Sequence, residues 1–255
     1  MNDMASLREI LVYLDDLLQV ARASDYCPNG LQVEGKPEVR RLVSGVTACQ
    51  ALLEAAAVAG ADALLVHHGY FWKGEAAPII GMKRRRLKIL LANDISLLAY
   101  HLPLDAHFEL GNNAQLARVL NLEVKGQFIE AGGITIGMYG CLPTPMKGEA
   151  WARYIAERLG RKPLYVPAHK GDIYTVGWCT GGAQGYIEQA AEKGLDAYLT
   201  GEVSEPTVHS AREQGIDFFA CGHHATERYG VQALGRHLAE KFDLEHQFID
   251  IDNPA

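Results

Sequence analysis

A chain of 255 residues, 48% hydrophobic and 22% charged, has ordinary globular composition and enough length for one large domain or two small ones. Its net charge of −7, with no dominant basic stretch, argues against a nucleic-acid backbone as partner, and no apolar run approaches the ~20 residues that cross a bilayer. Five cysteines without any C-x-x-C fit free thiols better than a disulfide framework, and the N-terminus MNDMASLREI lacks a basic-then-apolar leader, so the expected setting is the cytoplasm.

In chain order, Ser6 followed by Glu9 predicts a capping box opening a helix, whose apolar stripe is Leu7, Ile10, Leu11, Leu14, Leu17 and Leu18. Residues 25–35, DYCPNGLQVEG, read as loop, with Asn29 and Gly30 setting a tight turn and Gln32 a candidate to reach a cavity. A strand is expected over 41–46, an alanine-rich helix over 50–59, a strand over 63–67, a helix over 83–93, a strand over 95–100 and a helix over 113–120. After Leu122 the texture turns rich in glycine and proline around one expected strand at 134–139, followed by a helix at 149–159. Alternation then resumes: strand 174–179, helix 187–193, strand 197–200, helix 205–214, strand 216–221, helix 226–241 and strand 245–251. Such alternation implies an α/β fold.

The two halves also match. Laid without gaps on residues 187–199, residues 53–65 give seven identities in thirteen, among them Gly60/Gly194, Asp62/Asp196 and Ala63/Ala197. A helix–Gly–strand unit is therefore expected twice, each copy carrying polar groups at corresponding strand ends.

Those strand ends hold the chemistry. Of ten histidines, His67, His68, His101, His107, His223 and His224 fall in the three short segments HHG, HLPLDAH and GHHATE. His223 and Glu227 are four apart at a helix start and share a face. His67, His68, Asp105, His223 and Glu227 together offer three imidazoles and two carboxylates. That set suits Zn²⁺, Fe²⁺, Mn²⁺ or Ni²⁺ better than the oxygen-seeking Ca²⁺ or Mg²⁺, and five ligands are enough for two ions. The plainer alternative for any one of these histidines is a hydrogen-bonded structural role. His101 is read as a group that orients a ligand. Glu202, at the strand end matching the histidine pair, is either a base or orienting group or the cap of the next helix.

DYCPNGLQVEG, ALLVHHGYFW, AYHLPLDAHFELGNN, DAYLTGE and CGHHATERYG, in this order, resemble the signatures of the GTP cyclohydrolase 1 type 2 family, also called Nif-three-like, over residues 6–251. The resemblance implies two interlinked, duplicated α/β domains with mixed sheets (1–123 plus 222–255, and 124–221) in a short bacterial form. It also implies a toroidal homohexamer and a dinuclear metal centre held by His67, His68, Asp105, His223 and Glu227. The activity it implies is hydrolytic opening of a purine ring, with a metal-activated water as nucleophile and Glu202 or His101 as proton carrier.

No G-x-x-x-x-G-K-[ST] cradle accompanies these motifs. The basic run Lys83, Arg84, Arg85, Arg86 and Lys88 is either a meeting place for a nucleotide's phosphates or a solvated helix face or subunit contact. Phe71 and Trp72 are either a stacking surface for a flat base or interface filling. Two other functions stay open: a two-metal phosphoester hydrolase, and a non-catalytic ring-shaped metal carrier or scaffold.

Overall fold

The computed structural model describes residues 4–255. The elements are β1 (Ala5–Ser6), α1 (Leu7–Leu17), β2 (Gly30–Val33), β3 (Glu38–Val39), β4 (Arg41–Thr47), α2 (Gln50–Val58), β5 (Ala63–His68), α3 (Gly81–Ala92), β6 (Ser96–Ala99), α4 (Leu102–Ala106) and α5 (Asn112–Val119). They continue with β7 (Glu123–Ala131), β8 (Ile134–Met146), α6 (Gly148–Leu159), β9 (Leu164–Val166), β10 (Ile173–Trp178), α7 (Ile187–Glu192), β11 (Ala197–Thr200), α8 (Glu205–Gln214), β12 (Asp217–Ala220), α9 (His223–Phe242) and β13 (Glu245–Phe248). Contacts divide the chain into two units. Unit 1 runs up to Leu104 and resumes over Gly230–Ile251; unit 2 is Asp105–Tyr229 with the last four residues. Among the described residues no helix is long and apolar enough to cross a membrane.

Unit 1 is built on a mixed sheet in the order β13-β4-β5-β6-β2, parallel except for β2. β5 is buried from Ala63 to His67, as its near-continuous apolar run requires of a central parallel strand. Leu52 and Leu53 of α2 and Leu90 of α3 pack over Val43, Leu64 and Leu97 of the sheet. Helix α1 buries Leu7, Ile10 and Leu14 as its stripe predicts. The capping box does not form: Ser6 makes no side-chain cap bond because β1 pairs with β3, and the Leu7 N–H is satisfied by the Pro37 carbonyl at 2.8 Å. Residues 30–33 are an edge strand rather than loop, antiparallel to β6. Gln32 does not reach a cavity; its amide donates to the Pro28 and Tyr70 carbonyls and accepts the Tyr70 N–H.

Unit 2 holds a six-stranded sheet in the order β7-β8-β10-β11-β12-β9, with β10, β11 and β12 parallel and the others antiparallel to their neighbours. Its core centres on Trp151, Trp178 and Phe219, with Trp151 edge-on to Phe219 at 4.5 Å and Tyr165 stacked on Phe219 at 4.7 Å. The expected strand at 134–139 runs on to Met146 and pairs with a strand, β7, that the glycine-rich texture hid. Helix α5 packs its Ala114, Leu116 and Ala117 in this core, so the first segment of unit 1 ends at Leu104 rather than at residue 123. Residues 222–229 likewise belong to unit 2.

The duplication expected from sequence has the same local anatomy in both units. Gly60 and Gly194 both take positive φ (69° and 72°) where a helix ends, a conformation glycine adopts without a Cβ penalty. Asp62 accepts the N–H groups of Arg40 and Arg41, and Asp196 accepts those of Tyr174 and Thr175. Each aspartate thereby ties the start of its strand to the start of the neighbouring one. In both units the parallel trio, β4-β5-β6 or β10-β11-β12, ends on an antiparallel edge strand, β2 or β9.

Candidate metal centre

In unit 1, β5 leaves the core on His67 and His68. Register sets Thr47 of β4 opposite His68, and the Thr47 hydroxyl lies 3.1 Å from His68 Nδ1. His67 is fully buried, with Nδ1 2.9 Å from the Tyr100 carbonyl. A carbonyl only accepts, so His67 Nδ1 carries the hydrogen and Nε2 the lone pair. His101 follows β6, its ring centroid 5.0 Å from His67 and 5.7 Å from His68. One ligand atom from each of these three histidines falls within a 4.8 Å group.

In unit 2, β12 passes through Cys221 and Gly222 straight into α9, which places His223 and Glu227 on its first turn. His223 Nε2 is 3.1 Å from Glu227 Oε2, and His223 Nδ1 is 2.8 Å from Glu202 Oε1. Burial acts to lower the His223 pKa, but the hydrogen bonds and charges of Glu227 and Glu202 outweigh it and raise it to about 9. A proton held between two carboxylates occupies the kind of place a cation would take.

Asp105 is buried and accepts from Asn112 Nδ2 at 2.8 Å and from the Thr180 hydroxyl at 3.4 Å. The residue after Thr180, Gly181, lies against Glu227: a Cβ there would collide with Glu227 Oε1 and stand 3.2 Å from His223 Nε2. Its φ of +70° is a second reason for glycine. Thr226 receives the Gly181 N–H at 3.1 Å and fixes this loop to α9. Burial, then the charges of Asp105 and Glu227, pushes the Cys179 thiol at the end of β10 upward.

Glu202 is thus a partner of His223 and not a helix cap; the residue at the N-cap of α8 is Ser204. His101 joins the imidazole group. His107 Nδ1 accepts the N–H groups of Glu109 and Leu110 in the turn before α5. His224 is buried in the first turn of α9. Trp72 donates to the Gly69 carbonyl and meets His101 edge-on at 5.0 Å. In the basic run, Lys83 pairs with Glu75 and sits 5.0 Å from the Phe71 ring, while Arg86 lies over Tyr70. In the sequence Asn112 reads only as part of a helix start, and Asp25, Thr47 and Thr180 carry no expected role; Asp25 and Asn112 stand within the family-like motifs, while nothing marks Thr47 or Thr180.

The donor types suit a borderline divalent ion: in unit 1 the imidazoles of His67, His68 and His101 group together, and in unit 2 His223 stands against the Glu227 carboxylate. The model for Duf34/NIF3 (NGG1p interacting factor 3) matches residues 5–254. A Pseudomonas aeruginosa protein named GTP cyclohydrolase 1 type 2 homolog is 62% identical over 250 residues, covering 98% of this chain and 99% of its own. A solved structure described as protein ybgI, of unknown function, superposes with a TM-score of 0.95 at 55% identity, covering 98% of this chain and all of its own. A second solved structure, from Thermus thermophilus, gives 0.89 at 35% identity, again over 98% of this chain and all of its own.

Proposed function

Because the chain belongs to the Duf34/NIF3 family, we propose that it is a dinuclear metal-dependent hydrolase whose ligands are His67, His68, Asp105, His223 and Glu227. The observation that carries this reading is the treatment of Nδ1 in all three ligand histidines. His67 is tied to a carbonyl, His68 to a hydroxyl and His223 to a carboxylate. Metal-bound histidines are oriented by outer partners of these kinds, which direct Nε2 to the ion.

Bound ions would supply a water acidic enough to act as nucleophile near neutral pH. The chain's own contributions are then positional and protonic. Glu202 holds the His223 ring and keeps its hydrogen on Nδ1. Asn112 and Thr180 occupy lone pairs of Asp105 Oδ1 and so fix the carboxylate's direction. The substrate class proposed is a nucleotide or other small phosphorylated molecule, in keeping with the name of the Pseudomonas aeruginosa relative. The assembly proposed is a homohexamer acting in the cytoplasm. Purified protein loaded with zinc or manganese should hydrolyse GTP or a simple phosphodiester, and chelation should abolish the activity. Turnover that survives full chelation contradicts the metal-hydrolase reading.

A further inference from the structure

We propose that Tyr26 and Trp72 form a stacking site for a planar heteroaromatic ring, such as a nucleobase, beside the imidazoles of His67, His68 and His101. That this ring belongs to the substrate rests on the hydrolase reading, whereas the geometry rests on unit 1 alone.

The first sign is backbone strain at Phe71. Among the described residues other than glycine, positive φ occurs at Gln19, Phe71, Asp94, Asn121 and Asp243. Gln19, Asp94, Asn121 and Asp243 each follow a helix end within two residues, at α1, α3, α5 and α9 in turn. That is the ordinary place for a left-handed residue, where it closes the last helical turn. Phe71, with φ +64°, follows no helix and carries a bulky ring, so its conformation costs energy that no capping role explains. Strain of this kind persists where the surroundings over-determine it, and it gathers at active sites and ligand clamps. Here it falls directly after the histidine pair, in the segment HHGYFW.

The surroundings do over-determine it. Gln32 grips Tyr70, its amide donating to the Tyr70 carbonyl at 3.1 Å and accepting the Tyr70 N–H at 2.7 Å. The Tyr70 hydroxyl donates to the Ala48 carbonyl at 2.6 Å. Past Phe71, the Trp72 backbone N–H reaches Glu75 Oε2 and its indole N–H reaches the Gly69 carbonyl, each at 3.1 Å. Lys83 pairs with Glu75 at 3.2 Å and sits 5.0 Å from the Phe71 ring. The Lys73 N–H donates to the Tyr26 carbonyl at 2.6 Å and so joins this loop to the one that carries Tyr26. Asp25 fixes that second loop: its Oδ1 accepts the Tyr26 N–H at 2.6 Å and lies 2.7 Å from His101 Nδ1.

What this scaffold holds in place is aromatic surface next to the imidazoles. Trp72 lies 5.0 Å from His101 and 6.0 Å from His68, and Tyr26 lies 6.2 Å from His101. Tyr26 is 53% exposed and Trp72 half-buried, so neither ring completes its packing within unit 1. The Trp72 indole N–H is already satisfied, and what its ring offers a ligand is therefore its π surface. Rings held this firmly add contact area at little further cost in entropy. Every nucleobase has a π face and stacks on such rings whatever its hydrogen-bonding edge. A protein partner seated on the same rings would cover the approach to His68 and His101, which a hydrolytic site has to leave open. A small flat ring stacked there is instead brought beside them.

Intrinsic fluorescence tests this, because Trp151 and Trp178 are fully buried and Trp72 is the third and last tryptophan. The zinc-loaded full chain is titrated with guanosine 5′-monophosphate and, separately, with ribose 5-phosphate, which has the sugar and phosphate but no base. The nucleotide should quench Trp72 emission saturably and ribose 5-phosphate should not. Trp72→Ala and Tyr26→Ala should each weaken nucleotide binding, read by calorimetry, about 10- to 100-fold at unchanged zinc content. Equal binding of the two phosphates, or unchanged nucleotide affinity in either variant, overturns the inference. So does a Trp72→Ala protein that changes its oligomeric state yet keeps its nucleotide affinity, which assigns the rings to a subunit interface. Should a variant fail to fold, the wild-type quench by nucleotide against ribose 5-phosphate decides. A protein that shows no turnover counts against the hydrolase reading, while the same titration, run on metal-free protein if no zinc is taken up, still decides the stacking site.

Discussion

Glu202 and His223 meet through a single 2.8 Å contact between Oε1 and Nδ1, and this contact sets how unit 2 presents its imidazole. On the other side of the same ring stands Glu227, 3.1 Å from Nε2. Glu202 is half-exposed and carries little packing, so Glu202→Gln should change unfolding free energy by no more than about 0.5 kcal/mol. Metal affinity should fall about 10- to 100-fold, as it does when an outer-shell partner of a ligand histidine is removed. Calorimetric zinc titration against thermal melts separates the two effects; unchanged affinity counts against the orienting role.

The raised pKa of His223 gives a pH signature with a definite sign. In metal-free protein its protonated form is favoured by folding, so the stabilisation is complete below the unfolded pKa near 6.5 and is lost as pH rises through about 9. Metal must displace that proton, so affinity should rise with pH up to about 9 and binding at neutral pH should release a proton. Zinc titrations in buffers of different ionisation enthalpy measure the release directly. The melting temperature of metal-free protein should fall between pH 7 and 9.

Gly181 and Gly194 separate backbone strain from site geometry. Both have φ near +70°, but nothing lies within 4 Å of a Cβ at Gly194, whereas at Gly181 it meets Glu227 and His223. Alanine at either position should cost about 1–2 kcal/mol from the left-handed conformation. Only Gly181→Ala should also lose metal, because Glu227 has to move. Denaturant unfolding together with metal content of both variants checks this.

The duplicated aspartates should behave alike. Asp62→Ala and Asp196→Ala each strip two strand-starting N–H groups of their acceptor, at a cost of about 1–3 kcal/mol in urea unfolding. Both carboxyls are held below the usual range: burial opposes this, while Lys36 and the Arg40 and Arg41 N–H groups act on Asp62, and Thr175 and Tyr174 on Asp196. Their stabilisation is therefore present above the unfolded carboxylate pKa near 3.9 and lost as pH falls below it.

The long alternating segments were legible because one face of each had to be buried, and so β5, β11, α8 and most other central elements stand where periodicity puts them. Short edge strands carry no such pattern. Residues 30–33 read as loop because β2 is defined by pairing to β6, and β7 was hidden by glycines that let it approach β8. The proposed ligands His67, His68, Asp105, His223 and Glu227 stand out in the sequence by their chemistry. The groups that orient them do not. A threonine such as Thr47 has no spacing to mark it, and its place opposite His68 exists only once β4 and β5 are in register.

The most direct measurement is the metal content of the purified protein after reconstitution, by elemental analysis, for the wild type and for His67→Ala and Asp105→Ala together. Two divalent ions per chain in the wild type, with loss of metal in the double variant, are expected. A wild type that binds no metal, or a double variant that keeps its full complement, contradicts the ligand assignment.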